Sequence, residues 1–87
     1  MERASVYALI DEERDRQRTR WSEPHAWGSG DCSSGDVLPI VKVAVLMEEC
    51  GEVASAVLDD SLYPGHLRDE LVQVAAVAVA WLEWFDQ

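Results

Sequence analysis

The chain has 87 residues, of which 48% are hydrophobic and 28% are charged. This length suits one small domain over residues 1–87, and this apolar content excludes a disordered tail or a low-complexity linker. Seventeen acidic residues against seven basic ones give a formal charge of −10, which argues against a protein that coats nucleic acid or an anionic membrane.

The first predicted helix runs from Ser5 to about Arg20. It begins with an apolar set at helical spacing, formed by Val6, Leu9 and Ile10. The rest is almost wholly polar, with acids and bases at distances at which helical neighbours pair, as in Asp11–Arg14 and Glu12–Arg16. We interpret this polar part as a helix face in contact with solvent.

Residues 21–37 are predicted to form an irregular loop because glycine, serine and Pro24 accumulate there. Two tryptophans in such a loop are unusual. Trp21 and Trp27 either pack onto the core or line a pocket, and packing is the preferred interpretation.

Two more helices complete an all-α prediction. The second begins near Pro39, whose ring suits a first turn, and runs to about Leu58. The segment from Asp59 to Gly65 is predicted to be a turn. From His66 to about Trp84 there is neither proline nor glycine, and this stretch is far longer than a usual strand. We therefore expect a bundle of about three main helices per chain.

Acidic residues repeat at helical spacing on the second and third predicted helices. Glu49 and Glu52 lie one turn apart, and Glu70 and Gln73 repeat that spacing. If the turn folds the two helices back antiparallel, the two pairs come roughly level, within about one helical turn, because each residue rises about 1.5 Å. The pattern thus predicts a cluster of oxygen ligands between two helices.

A single pair of this kind usually marks a helix face in contact with solvent. Here the flanking positions are apolar nearly all round, and residues 21–87 offer only Lys42 and Arg68 as counter-charges. Hard divalent cations such as Mg²⁺ are the usual partner of converging carboxylates. A di-iron site would need Glu-x-x-His, which neither His25 nor His66 completes, and Cys32 with His25 offers too few ligands for zinc.

The segments KVAVLMEECGEVASAVL and LRDELVQVAAVAVAWLE, with the lead-in ERDRQRTRW, resemble the MazG-like all-α nucleoside triphosphate pyrophosphohydrolases, many of them bacterial or phage-encoded. The family motif is ExxE, a turn, then ExxD. The resemblance covers most of the chain. It implies a Mg²⁺-dependent enzyme, with Mn²⁺ as the substitute ion, that converts a nucleoside triphosphate to the monophosphate and pyrophosphate.

Carried over by position, the resemblance implies that Glu49, Glu52 and Glu70 are metal ligands. Glu48 matches the extra acid before ExxE, which implies either a group that supports the metal ligands or a base that orients water. Gln73 stands where the family usually has aspartate, so its amide oxygen can coordinate but one negative charge is lost. A competing hypothesis follows from this departure: a helical oligomerisation or regulatory module that keeps the fold and has lost turnover.

Four further residues are candidates for contacting the substrate. Lys42 lies about two turns before Glu49 and is either a phosphate contact or an ordinary exposed lysine. Arg68 is a weaker candidate for the same role. Trp21 or Trp27 offers an aromatic face on which a nucleobase can stack. No Gly-rich phosphate loop of the Walker type is present.

The apolar character of the third helix predicts that the chain forms a homo-oligomer. Three helices cannot cover it on every side, and Trp81, Trp84 and Phe85 would leave a large apolar patch on a monomer. We expect a homodimer, or a tetramer built as a dimer of dimers, and the resemblance implies the same. The N-terminus does not resemble a secretory signal, and Cys32 and Cys50 are too few for a disulfide framework, so we expect a cytoplasmic protein with free thiols.

Overall fold

The computed structural model describes residues 1–59 and 64–85. Three helices make up most of this part of the chain: α1 (Arg3–Arg20), α2 (Pro39–Asp59) and α3 (Pro64–Trp84). The described residues contain no strand beyond an isolated bridge between His25 and Gly28, so the all-α prediction is confirmed. Within these ranges no helix has a span long and apolar enough to cross a bilayer.

The second and third helices extend further into the predicted turn than the sequence pattern indicates. Asp59 still belongs to α2, and Pro64 and Gly65 already belong to α3, because a proline is tolerated in the first turn of a helix. Residues 60–63 of the predicted turn lie outside the described residues.

Helix α3 is the central element. It packs against both α1 and α2, whereas α1 and α2 make no close backbone approach to each other in the described part of the chain. Val45 and Leu46 of α2 pack against the buried Val77 and Ala80 of α3. The two helices run antiparallel, because earlier residues of α2 face later residues of α3. Small side chains on α3 permit this close packing.

The loop from residue 21 to residue 38 packs over one end of the helices. Its Cys32 joins the same apolar core as Val77. Gly28 has a φ of 132°, and a Cβ there would lie 2.8 Å from the carbonyl oxygen of Asp36. Only glycine fits this conformation, so the path of the loop is fixed at this residue.

The environment of Lys42 matches neither of the two expectations from the sequence, a phosphate contact or an exposed lysine. Its side chain is fully buried, and its Nζ donates to the carbonyl oxygens of Cys32 at 2.6 Å and Ser34 at 2.8 Å. The ammonium also lies 5.6 Å from the centre of the Trp84 ring. Burial lowers the pKa of this amine. Lys42 therefore fastens the loop to α2 and is neither an exposed lysine nor placed to contact a phosphate.

The polar half of α1 is only partly in contact with solvent. Arg14 is buried, and it donates to Asp31 of the loop at 2.7 Å and to Glu83 of α3. Arg16 bonds to Glu13 at 2.8 Å. The pairs Asp11–Arg14 and Glu12–Arg16, suggested by spacing alone, give way to these partners. Tertiary packing brings Asp31 and Glu83 to Arg14, whereas Arg16 takes a different acid of its own helix, three residues earlier.

Candidate functional site

A cleft of about 500 Å³ lies between α1 and α2. It stays open because both helices rest on α3 and not on each other. Helix α3 forms its floor with Gln73 and Val77, and the loop closes one end with Trp21 and Trp27. The volume is in the range of pockets that hold small ligands.

The α2 wall of the cleft is acidic. Glu48, Glu49 and Glu52 all line it. Glu49, Glu52 and Glu70 each offer a carboxylate oxygen, and these three oxygens lie within 4.8 Å of one another. The sequence pattern predicted that these glutamates come together, and the structure brings them together because antiparallel packing places the start of α3 beside the middle of α2.

The crowding of these carboxylates changes their acidity. Burial, followed by the charges of Glu52 and Glu70, raises the pKa of Glu49 to about 7. Burial and a hydrogen bond with Glu52 likewise raise the pKa of Glu70. His66 contributes a weak opposing charge, with Nε2 lying 3.9 Å from a Glu70 oxygen. The cluster thus holds more negative charge than nearby protein cations offset.

Two oxygens of this cluster are buried without a hydrogen-bond donor among the described residues. They are Oε2 of Glu49 and Oε2 of Glu70. The Glu70 side chain is only 12% exposed, so water has limited access to it. Buried acceptors without donors are costly and call for a partner. A hard divalent cation would satisfy both oxygens, and the all-oxygen donor set is of the type that Mg²⁺ and Mn²⁺ prefer.

Glu48 and Gln73 lie beside the cluster. Both line the cleft, but Glu48 is exposed and is not one of the three converging acids. Its charge contributes to the raised pKa of Glu49, so the two carboxylates are electrostatic neighbours. Gln73 is half-buried on the floor, where its amide adds an oxygen without adding charge. The position of Glu48 suits a base in contact with water, and the position of Gln73 suits a neutral ligand.

An aromatic group forms the loop end of the cleft. The centres of the Trp21 and Trp27 rings lie 4.8 Å apart, and His25 lies 5.0 Å from Trp21 and 4.2 Å from Trp27. Nε2 of His25 lies 2.8 Å from the carbonyl oxygen of Gly30. Both tryptophans are half-buried and line the cleft. The preferred interpretation, packing onto the core, is therefore not what the structure shows; the pocket alternative describes them.

The α1 wall carries residues that the sequence analysis missed. Four polar side chains of this helix line the cleft: Glu13, Arg16, Gln17 and Arg20. They recur at spacings of three, one and three residues, which is the signature of a single helix face. That spacing is visible in the sequence, but it does not distinguish a cleft wall from the solvent-exposed helix face that the polar half of α1 predicts. Arg68, in contrast, lies outside the cleft and pairs with Asp69 at 3.4 Å.

Comparison with models of protein families, with curated proteins and with solved structures finds no match to this chain.

Proposed function

We propose that the protein is a Mg²⁺-dependent nucleoside triphosphate pyrophosphohydrolase, which cleaves its substrate to the monophosphate and pyrophosphate. The observation that carries this proposal is the convergence of Glu49, Glu52 and Glu70. The first two line an open cleft, and two buried oxygens of the cluster have no donor among the described residues. The resemblance of the sequence to the MazG-like enzymes points to the same chemistry.

Glu49, Glu52 and Glu70 would hold the cation. Gln73 borders the cleft on the adjacent turn of α3, where its amide oxygen would be a weaker ligand than a carboxylate. When bound, Mg²⁺ or Mn²⁺ supplies charge neutralisation for phosphate oxygens and acidifies water. An acidic protein would otherwise repel a nucleotide. The cation that the three glutamates would hold therefore also determines whether the substrate enters.

The remaining roles fall to side chains at two places in the cleft. Glu48 is exposed to water beside Glu49, so it would orient the attacking water and accept its proton. Trp21 presents a ring at the loop end, where it would stack on the base. Lys42 has no part in this mechanism, because its ammonium is committed to two carbonyl oxygens.

We also propose that the protein works as a cytoplasmic homo-oligomer, a dimer or a tetramer. Ile40, Val43 and Met47 share one face of α2 and are 72%, 41% and 63% exposed. Leu82 and Phe85 near the end of α3 are 69% and 55% exposed. Apolar residues this exposed on a small domain favour burial against a second copy of the chain. Sedimentation equilibrium measures the state directly.

The test of the enzymatic proposal is pyrophosphate release from a panel of canonical and modified nucleoside triphosphates with Mg²⁺. We expect at least one substrate to be cleaved and Glu52→Gln to abolish cleavage. Glu12→Gln removes the same charge from an exposed helical site outside the cleft, and it should leave the rate unchanged. Silence across the panel, without thermal stabilisation by Mg²⁺ or Mn²⁺, would instead support the non-catalytic helical module.

A further inference from the structure

The cleft has two walls of opposite charge. The α2 wall carries Glu48, Glu49 and Glu52, and the α1 wall carries Arg16 and Arg20. Among the described residues, these two arginines are the only cationic side chains that line the cleft. A ligand that spans the cleft therefore meets carboxylates on one side and guanidinium groups on the other.

The other cations near the cleft are already occupied. Arg14 is buried against Asp31 and Glu83, and Arg18 lies 3.2 Å from Glu83. The ammonium of Lys42 is buried against two carbonyl oxygens. Arg16 is also paired, through Nε to Glu13, but among the described residues it and Arg20 are the cations that line the cleft and face an anion entering from solvent.

The two arginines lie at different positions along the cleft. The Arg20 guanidinium lies 5.1 Å from the centre of the Trp21 ring, at the aromatic end. Arg16 precedes it by one turn, about 6 Å along the helix axis, and bonds to Glu13 at 2.8 Å. Glu13 lines the same cleft as Glu49, so this turn of α1 lies across the cleft from the acidic α2 wall. From one end to the other, the cleft presents an aromatic surface, Arg20, Arg16 and the carboxylates.

We propose that Arg16 and Arg20 form a polyphosphate clamp, which binds the phosphate chain of the substrate opposite the carboxylate wall. This inference rests on the proposed function and names the residues that bind the phosphate chain. Arg20 takes the phosphate nearer the base, and Arg16 takes the phosphates beyond it. Glu13 accepts from Nε of Arg16, which leaves both terminal nitrogens of that guanidinium to donate to phosphate oxygens.

The test is calorimetric binding of inorganic tripolyphosphate in excess Mg²⁺, which needs no turnover. We expect Arg16→Gln and Arg20→Gln each to weaken binding by about tenfold, since a charge-assisted hydrogen bond contributes roughly that much. The double variant should lose about a hundredfold. Arg3→Gln removes the same charge from an exposed site at the start of α1 and should bind as the parent protein does. Circular dichroism confirms that each variant is folded.

The outcomes separate this inference from the enzymatic proposal. Equal affinity in the parent protein and the double variant would overturn the clamp and leave the hydrolase intact. Failure of the parent protein to bind tripolyphosphate would overturn it as well. If the arginine variants lose binding while no nucleotide is cleaved by the parent protein, the clamp stands and the hydrolase fails.

Discussion

Arg14 and Asp31 form a buried ion pair that joins α1 to the loop, with Nη1 of Arg14 lying 2.7 Å from Oδ2 of Asp31. Each side chain is only 5–6% exposed. Asp31 also accepts from the backbone N–H and the hydroxyl of Ser33, and Arg14 reaches Glu83 of α3. The pair therefore connects three elements, and its aspartate lines the cleft.

Removal of one partner of this pair should destabilise the protein severely. Asp31→Asn leaves the Arg14 charge buried without its full counter-charge, and we expect a loss of about 3–5 kcal/mol in the free energy of unfolding. Urea titration measures it. Arg18→Gln is the matched control, because Arg18 is 68% exposed and contributes little through its contact with Glu83. A loss below about 1 kcal/mol for Asp31→Asn would contradict this role.

The metal-free protein should lose stability as the pH rises from about 4.5 to 7. The pKa of Glu49 is raised from 4.5 to about 7 in the fold, so the unfolded chain releases this proton first. The free energy of unfolding is therefore greatest below the pKa of Glu49 in the unfolded chain, and it falls until the pH exceeds the pKa of Glu49 in the fold. The raised pKa of Glu70 acts in the same direction. The lowered pKa of Asp31 acts only at more acidic pH.

Thermal unfolding measured across this pH range, with chelator present, checks the prediction. Glu49→Gln removes one of the crowded charges and should flatten the decline, whereas Glu12→Gln should preserve it. Addition of Mg²⁺ at pH 8 should restore the melting temperature of the parent protein, because a bound cation favours the ionised carboxylates. A melting temperature that stays constant from pH 4.5 to 7 would show that the cluster is not under electrostatic strain.

Gln73→Asp should raise the affinity for Mg²⁺. The residue lines the cleft beside the carboxylate cluster, and a carboxylate adds the charge that the amide lacks. Calorimetric titration with Mg²⁺ measures the change, which we expect to be about tenfold or more. Gln17→Asp adds the same charge on the opposite wall and should have a smaller effect. An unchanged titration would remove Gln73 from the metal site.

Lys42→Met should cost stability without weakening substrate binding. The methionine fills a similar volume but leaves the carbonyl oxygens of Cys32 and Ser34 without their donor, at a cost of about 1–3 kcal/mol. Once folded, the variant should keep the KM of the parent protein, because the ammonium does not line the cleft. A raised KM at unchanged stability would return Lys42 to the role of a phosphate contact.

The helices and the residues of the acidic cluster could be predicted from the sequence, because both are visible as local periodicity. Pro39 stands at the first residue of α2, as its ring predicts. The spacing of Glu49, Glu52 and Glu70 brings them together once the two helices are antiparallel. The hydrogen-bond partners of Arg14 and Lys42 could not be predicted from the sequence. Their hydrogen-bond acceptors are distant in sequence or belong to the backbone of an irregular loop, and no periodicity reports on either.

By itself, the amino-acid sequence determined three helices, one irregular segment and a set of glutamates able to meet across two of those helices. Tertiary structure decided the rest: that α1 stands apart from α2, that Arg16 and Arg20 face the resulting cleft, and that Lys42 is enclosed. The physical reason is that helical spacing defines which residues share a face, whereas the contacts of a face depend on how separate elements pack and which buried charges find partners.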